Sequence, residues 1–159
     1  MNYIKNHKDL NGKIVLLRLD LNVPIKDGKI TDETRINKII PIFKYLTEKN
    51  SKIVVISHVG RPKGKRSEHL SLKPICESLK KKTNKNIKLI SENIFKLTKQ
   101  NLLSNTESEI ICIENIRFYK EEENNDEKFC KHLASLADLY INDAFSCSHR
   151  AHASIYEIP

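Results

Sequence analysis

The chain has 159 residues, 39% of them hydrophobic and 30% charged, with a formal net charge of +8. This length and balance predict one soluble globular domain with a substantial core, and no apolar stretch approaches the length that spans a bilayer. Residues 1–8 lack the apolar core of a secretion signal, which favours a cytoplasmic protein.

Four cysteines are spread along the chain: Cys76, Cys112, Cys130 and Cys147. None forms a Cys-x-x-Cys pair and no histidine stands at zinc-like spacing, so they do not indicate a metal site or a disulfide framework. We expect reduced thiols, with the first three mostly buried.

The positive charge makes a nucleic-acid-binding protein the first alternative. Its distribution speaks against that class, because lysines are scattered over predicted solvent faces, as at residues 80–82. Among the 28 basic residues, only six are arginine. In so lysine-rich a chain, each arginine is informative, since it supplies the planar, bidentate donor that anions prefer. The arginines are Arg18, Arg35, Arg61, Arg66, Arg117 and Arg150.

The amino-terminal third begins with a predicted strand over residues 13–19, whose apolar run ends in polar groups at Arg18, Asp20 and Asn22. Asp27-Gly28 then predicts a two-residue hairpin turn. A helix follows that Thr31 or Asp32 can cap. Its apolar stripe has three- and four-residue spacing and consists of Ile36, Ile39, Ile40, Phe43 and Leu46.

Arg35 lies in the first turn of this predicted helix, where a cation opposes the helix dipole. Its placement favours a functional role, with a plain surface arginine as the alternative.

The second strand, residues 53–56, is β-branched without polar alternation, as expected of a parallel strand covered on both faces. It stops at Ser57-His58, and Gly60 and Pro62 then hold Arg61 on a stiff corner that suits a phosphate or carboxylate. The competing interpretation is a solvated basic loop behind a core strand.

Strands and helices continue to alternate after this loop. Apolar spacing predicts a helix on Leu72, Ile75, Cys76 and Leu79, a strand over residues 87–90 and one short helix over residues 94–103. A strand over residues 109–113 follows. The acidic run of residues 121–127 then begins a helix with a stripe on Phe129, Leu133 and Leu136, and a strand over residues 139–141 ends in Asn142-Asp143.

This βα alternation predicts an α/β fold, a doubly wound parallel sheet with helices on both faces in a Rossmann-like three-layer α/β/α arrangement. The carboxyl ends of such strands lie on one edge, together with the first turns of the helices that follow. Polar residues at these positions should therefore converge. They are Asp20, Asn22, Arg35, His58, Arg61, Arg117 and the group His149, Arg150 and His152.

Four arginines and several histidines on one edge predict a site for a small, highly charged phosphate or carboxylate compound. The four glycines form neither a Walker loop nor a Gly-x-Gly-x-x-Gly turn, so no nucleotide site is evident. Asp20 beside these cations is expected to accept a substrate hydroxyl or to orient an arginine.

Six motifs, in order along the chain, resemble the amino-terminal signatures of the phosphoglycerate kinase family. They are Leu17-Arg-Leu-Asp-Leu-Asn-Val-Pro24, Asp27-Gly-Lys-Ile-Thr-Asp-Glu-Thr-Arg-Ile36, Ser57-His-Val-Gly-Arg-Pro-Lys-Gly64, Leu70-Ser-Leu-Lys-Pro74, Glu114-Asn-Ile-Arg-Phe118, and Asn142-Asp-Ala-Phe145 continuing to Ser154.

The resemblance implies a set of residues that bind 3-phosphoglycerate or its acyl phosphate: Asp20, Asn22, Arg35, His58, Arg61, Arg117 and Arg150. It implies a basic patch completed by Arg18, His149 and His152. Arg35 is the expected catalytic residue, because a guanidinium can bridge the oxygens over which the transferring phosphoryl group spreads its charge.

The family's reaction moves a phosphoryl group between 1,3-bisphosphoglycerate and ADP in glycolysis. By resemblance, residues 1–159 are the amino-terminal substrate-binding domain, incomplete at its carboxyl end. ATP or ADP with magnesium would bind a second domain that this chain lacks, so the chain alone is expected to be an inactive monomer. The alternatives are a non-catalytic module for small phosphates or carboxylates and the nucleic-acid-binding protein considered above.

Overall fold

The computed structural model describes residues 9–105, 109–144 and 152–156. The strands are β1 (Ile14–Leu19), β2 (Ile25–Lys26), β3 (Lys29–Ile30), β4 (Lys52–Ile56), β5 (Ile87–Ile90), β6 (Ile110–Ile113) and β7 (Leu139–Asp143). The α-helices are α1 (Thr34–Glu48), α2 (Lys73–Thr83), α3 (Lys99–Ser104), α4 (Lys120–Glu123), α5 (Glu127–Ser135) and α6 (Ala153–Tyr156). Short 3₁₀ turns cover Glu68–Leu70, Ile94–Lys96 and Ile116–Phe118.

Five strands form one parallel sheet in the order β5-β6-β4-β1-β7. β1 lies between β4 and β7, and its Val15 pairs with Ile53 on one side and Leu139 on the other. The remaining two strands, β2 and β3, form an antiparallel hairpin. At its turn Asp27 and Gly28 both have positive φ, as the sequence predicted.

Both faces of the sheet are covered, so the predicted doubly wound α/β fold is confirmed. Alternate β1 residues, Val15 and Leu17, join the core formed with α1 and α2, whereas Ile14 and Leu16 join the core formed with α3 and α5. Each fully buried aliphatic side chain contributes about 1.5–3 kcal/mol, which explains why β1 and β4 need apolar residues in succession.

Three local predictions are wrong in detail. Neither Thr31 nor Asp32 is the N-cap of α1, which is Glu33; the Asp32 carboxylate instead accepts hydrogen bonds from the Thr34 N–H and hydroxyl, at 2.8 and 2.6 Å. Residues 94–103 form a 3₁₀ turn and a separate helix, because Thr98 begins α3 with its own capping box. The acidic run divides between α4 and α5, and Asp126 caps α5 through the Phe129 N–H at 2.8 Å.

The predicted burial of Cys76, Cys112 and Cys130 is confirmed, and none of these three residues is in a disulfide. Contact with the Cys76 thiol and burial both raise the pKa of Cys112 well above its usual value, so this thiol stays protonated. Cys147 lies outside the described residues. Within the described ranges, no helix has both the length and the apolar character to cross a membrane.

Asp138 fastens the start of β7 to β1. Its carboxylate accepts a hydrogen bond from the Ile14 N–H at 2.9 Å, its own N–H donates to the Ile14 carbonyl at 2.9 Å, and Lys99 pairs with the second carboxylate oxygen. The hydrogen bonds from Lys99 and then from Ile14 lower the pKa of Asp138.

We predict that Asp138→Asn lowers the free energy of unfolding at pH 7 by up to about 1 kcal/mol, because the amide still accepts from Ile14 but loses the charge. A lowered folded-state pKa stabilises the protein above about pH 4, and this contribution disappears as the pH falls below that value. Urea unfolding should therefore show a smaller difference from wild type at pH 3 than at pH 7. The control is Asp9→Asn, at an exposed carboxylate that accepts from the Asn11 N–H at 3.3 Å. An equal Asp138→Asn loss at both pH values would contradict the charge argument.

Candidate functional site

The carboxyl ends of β1, β4 and β6 lie side by side at one edge of the sheet. The chain leaves β4 toward α2 on one face and leaves β6 toward α5 on the other. Adjacent strands whose connections diverge in this way leave a crevice between them, which is where ligands bind in open α/β sheets. The segments that border this edge are residues 20–24, 57–61 and 114–118.

Asp20 and Arg35 meet at this edge, as the topology predicted. The Arg35 guanidinium donates to the Asp20 carboxylate, whose other oxygen accepts from the Asn22 N–H at 3.3 Å. The Arg35 side chain remains 47% exposed and that of Asp20 13%. The carboxylate therefore orients the guanidinium while leaving it open to solvent.

Asn22, Gly60 and Arg117 connect three segments. The Asn22 amide oxygen accepts from the Gly60 N–H at 2.9 Å, and the Arg117 guanidinium donates to the Gly60 carbonyl at 3.0 Å. Gly60 has φ +62°, and a Cβ there would lie 2.7 Å from Leu70 Cδ2, so the position requires glycine. Arg117 is only 2% exposed and so lies within the protein rather than on its surface.

Arg18 and His58 meet beneath the same edge. Arg18 lies on β1 and is fully buried. Its Nη2 is 3.0 Å from His58 Nδ1. The strand alternation places Arg18 on the face of Ile14 and Leu16, where its Nε donates to the Ser154 hydroxyl at 2.9 Å. The Ser154 N–H and hydroxyl in turn donate to the carboxylate of buried Glu122.

Glu122 is a functional candidate that the sequence pattern did not identify, since it stands inside an acidic run. Burial raises the pKa of its carboxyl group, while the Ser154 hydrogen bonds and the charges of Arg18 and Arg117 oppose that shift. A second carboxyl group, Asp143 at the end of β7, also has its pKa raised by burial. Asp143 pairs in register with Leu19, so it too lies at this edge.

Glu114 and Asn115 belong to one of the family motifs, but the sequence pattern indicated no role for them. In the structure they fix the surrounding loops. The Glu114 carboxylate accepts from the Ser71 hydroxyl and the Leu72 N–H, at 2.7 and 2.8 Å, and so holds the start of α2. The Asn115 amide donates to the carbonyls of Val59 and Leu70, both at 2.8 Å. Only the assembled loops reveal these roles, because each bond joins segments far apart in sequence.

The remaining predicted residues are placed as follows. Arg61 follows Gly60 directly and is exposed, and His152 is half-buried just before α6. His149 and Arg150 lie outside the described residues. The structure thus brings together Asp20, Asn22, Arg35, His58 and Arg117 around Gly60, with Arg18 below them. In the part of the chain that the structure describes, no group of three histidine, cysteine or acidic side chains is arranged to hold a metal ion.

The sheet and the cationic side chains at its carboxyl edge define a doubly wound α/β protein of the kind that binds ligands beyond its strand ends. The profile of one family, phosphoglycerate kinase, matches residues 4–159. Because the match covers nearly all of the chain, the protein belongs to the phosphoglycerate kinase family.

Two curated relatives illustrate the similarity. A phosphoglycerate kinase of Wolbachia pipientis subsp. Culex pipiens (strain wPip) is 53% identical over 150 residues, which is 94% of this chain and 38% of that protein. The phosphoglycerate kinase of Dictyoglomus turgidum is 49% identical over 147 residues, covering 92% of this chain and 37% of that protein. The chain therefore spans less than two fifths of the length of these relatives.

Solved structures agree in fold. The phosphoglycerate kinase of Coxiella burnetii superposes with a TM-score of 0.83 at 37% identity, covering 95% of this chain and 37% of that one. The enzyme of Pyrococcus horikoshii OT3 gives a TM-score of 0.82 at 30% identity, covering 97% of this chain and 39% of that one.

We predict that Gly64→Ala destabilises the protein more than Gly12→Ala. The two glycines have φ of +70° and +69°, so both variants carry the same backbone strain of about 1 kcal/mol. A Cβ at Gly12 meets nothing within 4 Å, whereas one at Gly64 would overlap Lys120 Cγ and lie 3.2 Å from the Lys120 backbone nitrogen. Gly64 also donates to the Arg117 carbonyl at 3.1 Å. Urea unfolding should show that Gly64→Ala lowers the free energy of unfolding by about 1–3 kcal/mol more than Gly12→Ala does. Equal losses in the two variants would contradict the packing argument.

Proposed function

We propose that this chain is the 3-phosphoglycerate-binding domain of a phosphoglycerate kinase, spanning residues 1–159. The reaction of the whole enzyme would be reversible phosphoryl transfer between 1,3-bisphosphoglycerate and ADP, giving 3-phosphoglycerate and ATP. One observation carries the proposal within this family: the contacts Arg35–Asp20 and Asn22–Gly60–Arg117 join three strand ends into one cationic edge.

Each residue has a role that follows from its exposure and partners. Exposed Arg61 binds the anionic body of the substrate. It follows Gly60, whose hydrogen bonds with Asn22 and Arg117 fix the backbone at this corner. Asp20 accepts a substrate hydroxyl and keeps Arg35 oriented. Arg35 stabilises the transferring phosphoryl group, since its half-exposed guanidinium can bridge two oxygens as their charge develops. Arg150, by family resemblance, completes the anion site.

We further propose that the nucleotide and its magnesium ion bind in the part of the family's length that this chain does not span. The chain's four glycines supply no phosphate-binding loop, and the described residues offer no three-ligand metal cluster. The partner is then a second domain, and transfer requires closure of the two domains around substrates held in line. We propose that the complete enzyme acts as a monomer in the cytoplasm.

Calorimetric titration of the chain with 3-phosphoglycerate tests the site. We predict that wild type binds 3-phosphoglycerate and that Arg61→Ala weakens binding about tenfold to a hundredfold, because a charge-assisted hydrogen bond to the ligand is lost. Arg35→Lys should change affinity less, since its main interaction develops during transfer.

The matched control is Arg66→Ala, which removes the same charge from an exposed arginine of the same loop. Arg66 donates to the Ser91 carbonyl at 2.8 Å and belongs to none of the contacts around Gly60. Equal weakening by Arg61→Ala and Arg66→Ala would show that net charge, and not the site, binds the ligand. Tight binding of ATP with no effect of 3-phosphoglycerate would refute the proposal.

We predict that the chain alone does not transfer phosphoryl groups between ATP and 3-phosphoglycerate above the uncatalysed rate. The reason is that acceptor and donor must be held in line within a closed cleft, and only the acceptor site is proposed here. A coupled assay of ADP formation at micromolar protein checks this, with a full-length family member as the positive control. Turnover that is lost on Arg35→Ala would show that this chain carries a nucleotide site of its own.

A further inference from the structure

The buried guanidinium of Arg18 contacts three different groups. Its Nη1 donates to the Leu19 carbonyl, its Nε donates to the Ser154 hydroxyl at 2.9 Å, and its Nη2 lies 3.0 Å from His58 Nδ1. Arg18 itself is 0% exposed and His58 only 3%. With no exposed surface, Arg18 cannot act as a direct ligand of a solvent-borne anion, so its role must pass through the groups it contacts.

The contact with His58 has only one chemically consistent form. A guanidinium carries five N–H donors and no acceptor, so the nitrogen facing it must accept. His58 Nδ1 therefore carries a lone pair, and the single ring proton is on Nε2. Protonation of Nδ1 would place two N–H groups 3.0 Å apart and eliminate the hydrogen bond.

The guanidinium is prevented from turning away by a chain of hydrogen bonds on its other side. The Ser154 hydroxyl accepts from Arg18 Nε, so its proton must go to another acceptor, which is the Glu122 carboxylate. The other oxygen of that carboxylate accepts from the Ser154 N–H at 3.0 Å. Tyr140 in turn donates to the Ser154 carbonyl, so Ser154 is held at its N–H, hydroxyl and carbonyl groups.

We infer that Glu122, Ser154 and Arg18 form a positioning chain that holds His58 as the neutral Nε2–H tautomer. The consequence rests on the proposed function: His58 contributes to 3-phosphoglycerate binding as a neutral group, and any hydrogen bond that it donates comes from Nε2. The positive charge of the site is then supplied by its arginines. Arg18, Ser154 and Glu122 are positioning residues, because none of them is exposed enough to touch the substrate.

Long-range ¹H–¹⁵N correlation spectra of the uniformly labelled 159-residue chain test the tautomer without any ligand. The His58 signals are assigned by their loss in His58→Gln. At pH 7 we expect the ¹⁵N chemical shift of Nδ1 to be typical of an unprotonated ring nitrogen and that of Nε2 to be typical of a protonated one. The reverse pattern, or two protonated-type shifts, would overturn the inference.

Ser154→Ala tests the chain behind Arg18. Without the hydroxyl the guanidinium loses one of its acceptors, so we expect the His58 signals to move toward averaged tautomers. Ser154→Thr, which keeps a hydroxyl, should restore the wild-type pattern. Ser135→Ala is the control, because the exposed Ser135 hydroxyl donates to the His132 carbonyl of its own helix, at 2.7 Å. An unchanged His58 spectrum in folded Ser154→Ala would show that Ser154 and Glu122 do not position the ring.

Calorimetry separates this inference from the proposed function. We expect Ser154→Ala to weaken 3-phosphoglycerate binding about threefold to tenfold and Ser154→Thr to recover most of it, in parallel with the spectra. If wild type shows the expected tautomer but no 3-phosphoglycerate binding, the proposed function fails and the positioning chain stands. If 3-phosphoglycerate binds while the tautomer is reversed, the positioning chain fails and the proposed function stands.

Discussion

The burial of two guanidinium groups, those of Arg18 and Arg117, is the constraint on which the rest of the site depends. Removing a cation from water costs several kcal/mol unless acceptors surround it. Here the acceptors are the carbonyls of Leu19 and Gly60, the Ser154 hydroxyl and His58 Nδ1, with the charge of Glu122 at longer range. These acceptors belong to β1, to the loop after β4 and to α6, so the hydrogen bonds of the two cations fix these segments relative to one another.

This arrangement also supports the proposed anion site, because it orders part of a surface that is otherwise rich in lysines. The exposed arginines, Arg35 and Arg61, are each held by neighbouring groups: the Arg35 guanidinium by the Asp20 carboxylate, and the Arg61 backbone by the fixed corner at Gly60. Less conformational entropy is therefore lost when an anion binds.

The sequence predicted those features that depend on local pattern and topology. Consecutive β-branched residues predicted β4. The rule that parallel strands end at one edge predicted that Asp20, Arg35 and Arg117 lie close together. The sequence did not predict the burial of Glu122, because an acidic run looks the same whether its members are solvated or covered. The Glu122 carboxylate accepts a hydrogen bond from Ser154, which lies 32 positions later in the sequence. The residues before Ser154 show no apolar periodicity that would predict this contact. The division of residues 94–104 was missed for a different reason: the apolar spacing continues through Leu97, but the Thr98 capping box starts a new helix.

The amide of Asn115, which donates to the carbonyls of both Val59 and Leu70, closes the intervening residues 60–69 into a ring. The ends of that ring, together with the hydrogen bonds that Gly60 makes with Asn22 and Arg117, determine where Gly60 stands. The entropy of closing a loop grows only slowly with its length, by about 0.6 kcal/mol for each doubling. The outer part of the ring, around residues 65–68, can therefore lengthen or shorten during evolution while the corner beneath Arg61 stays in place. Insertions and deletions in this outer part of the loop therefore leave the backbone at Gly60 unchanged.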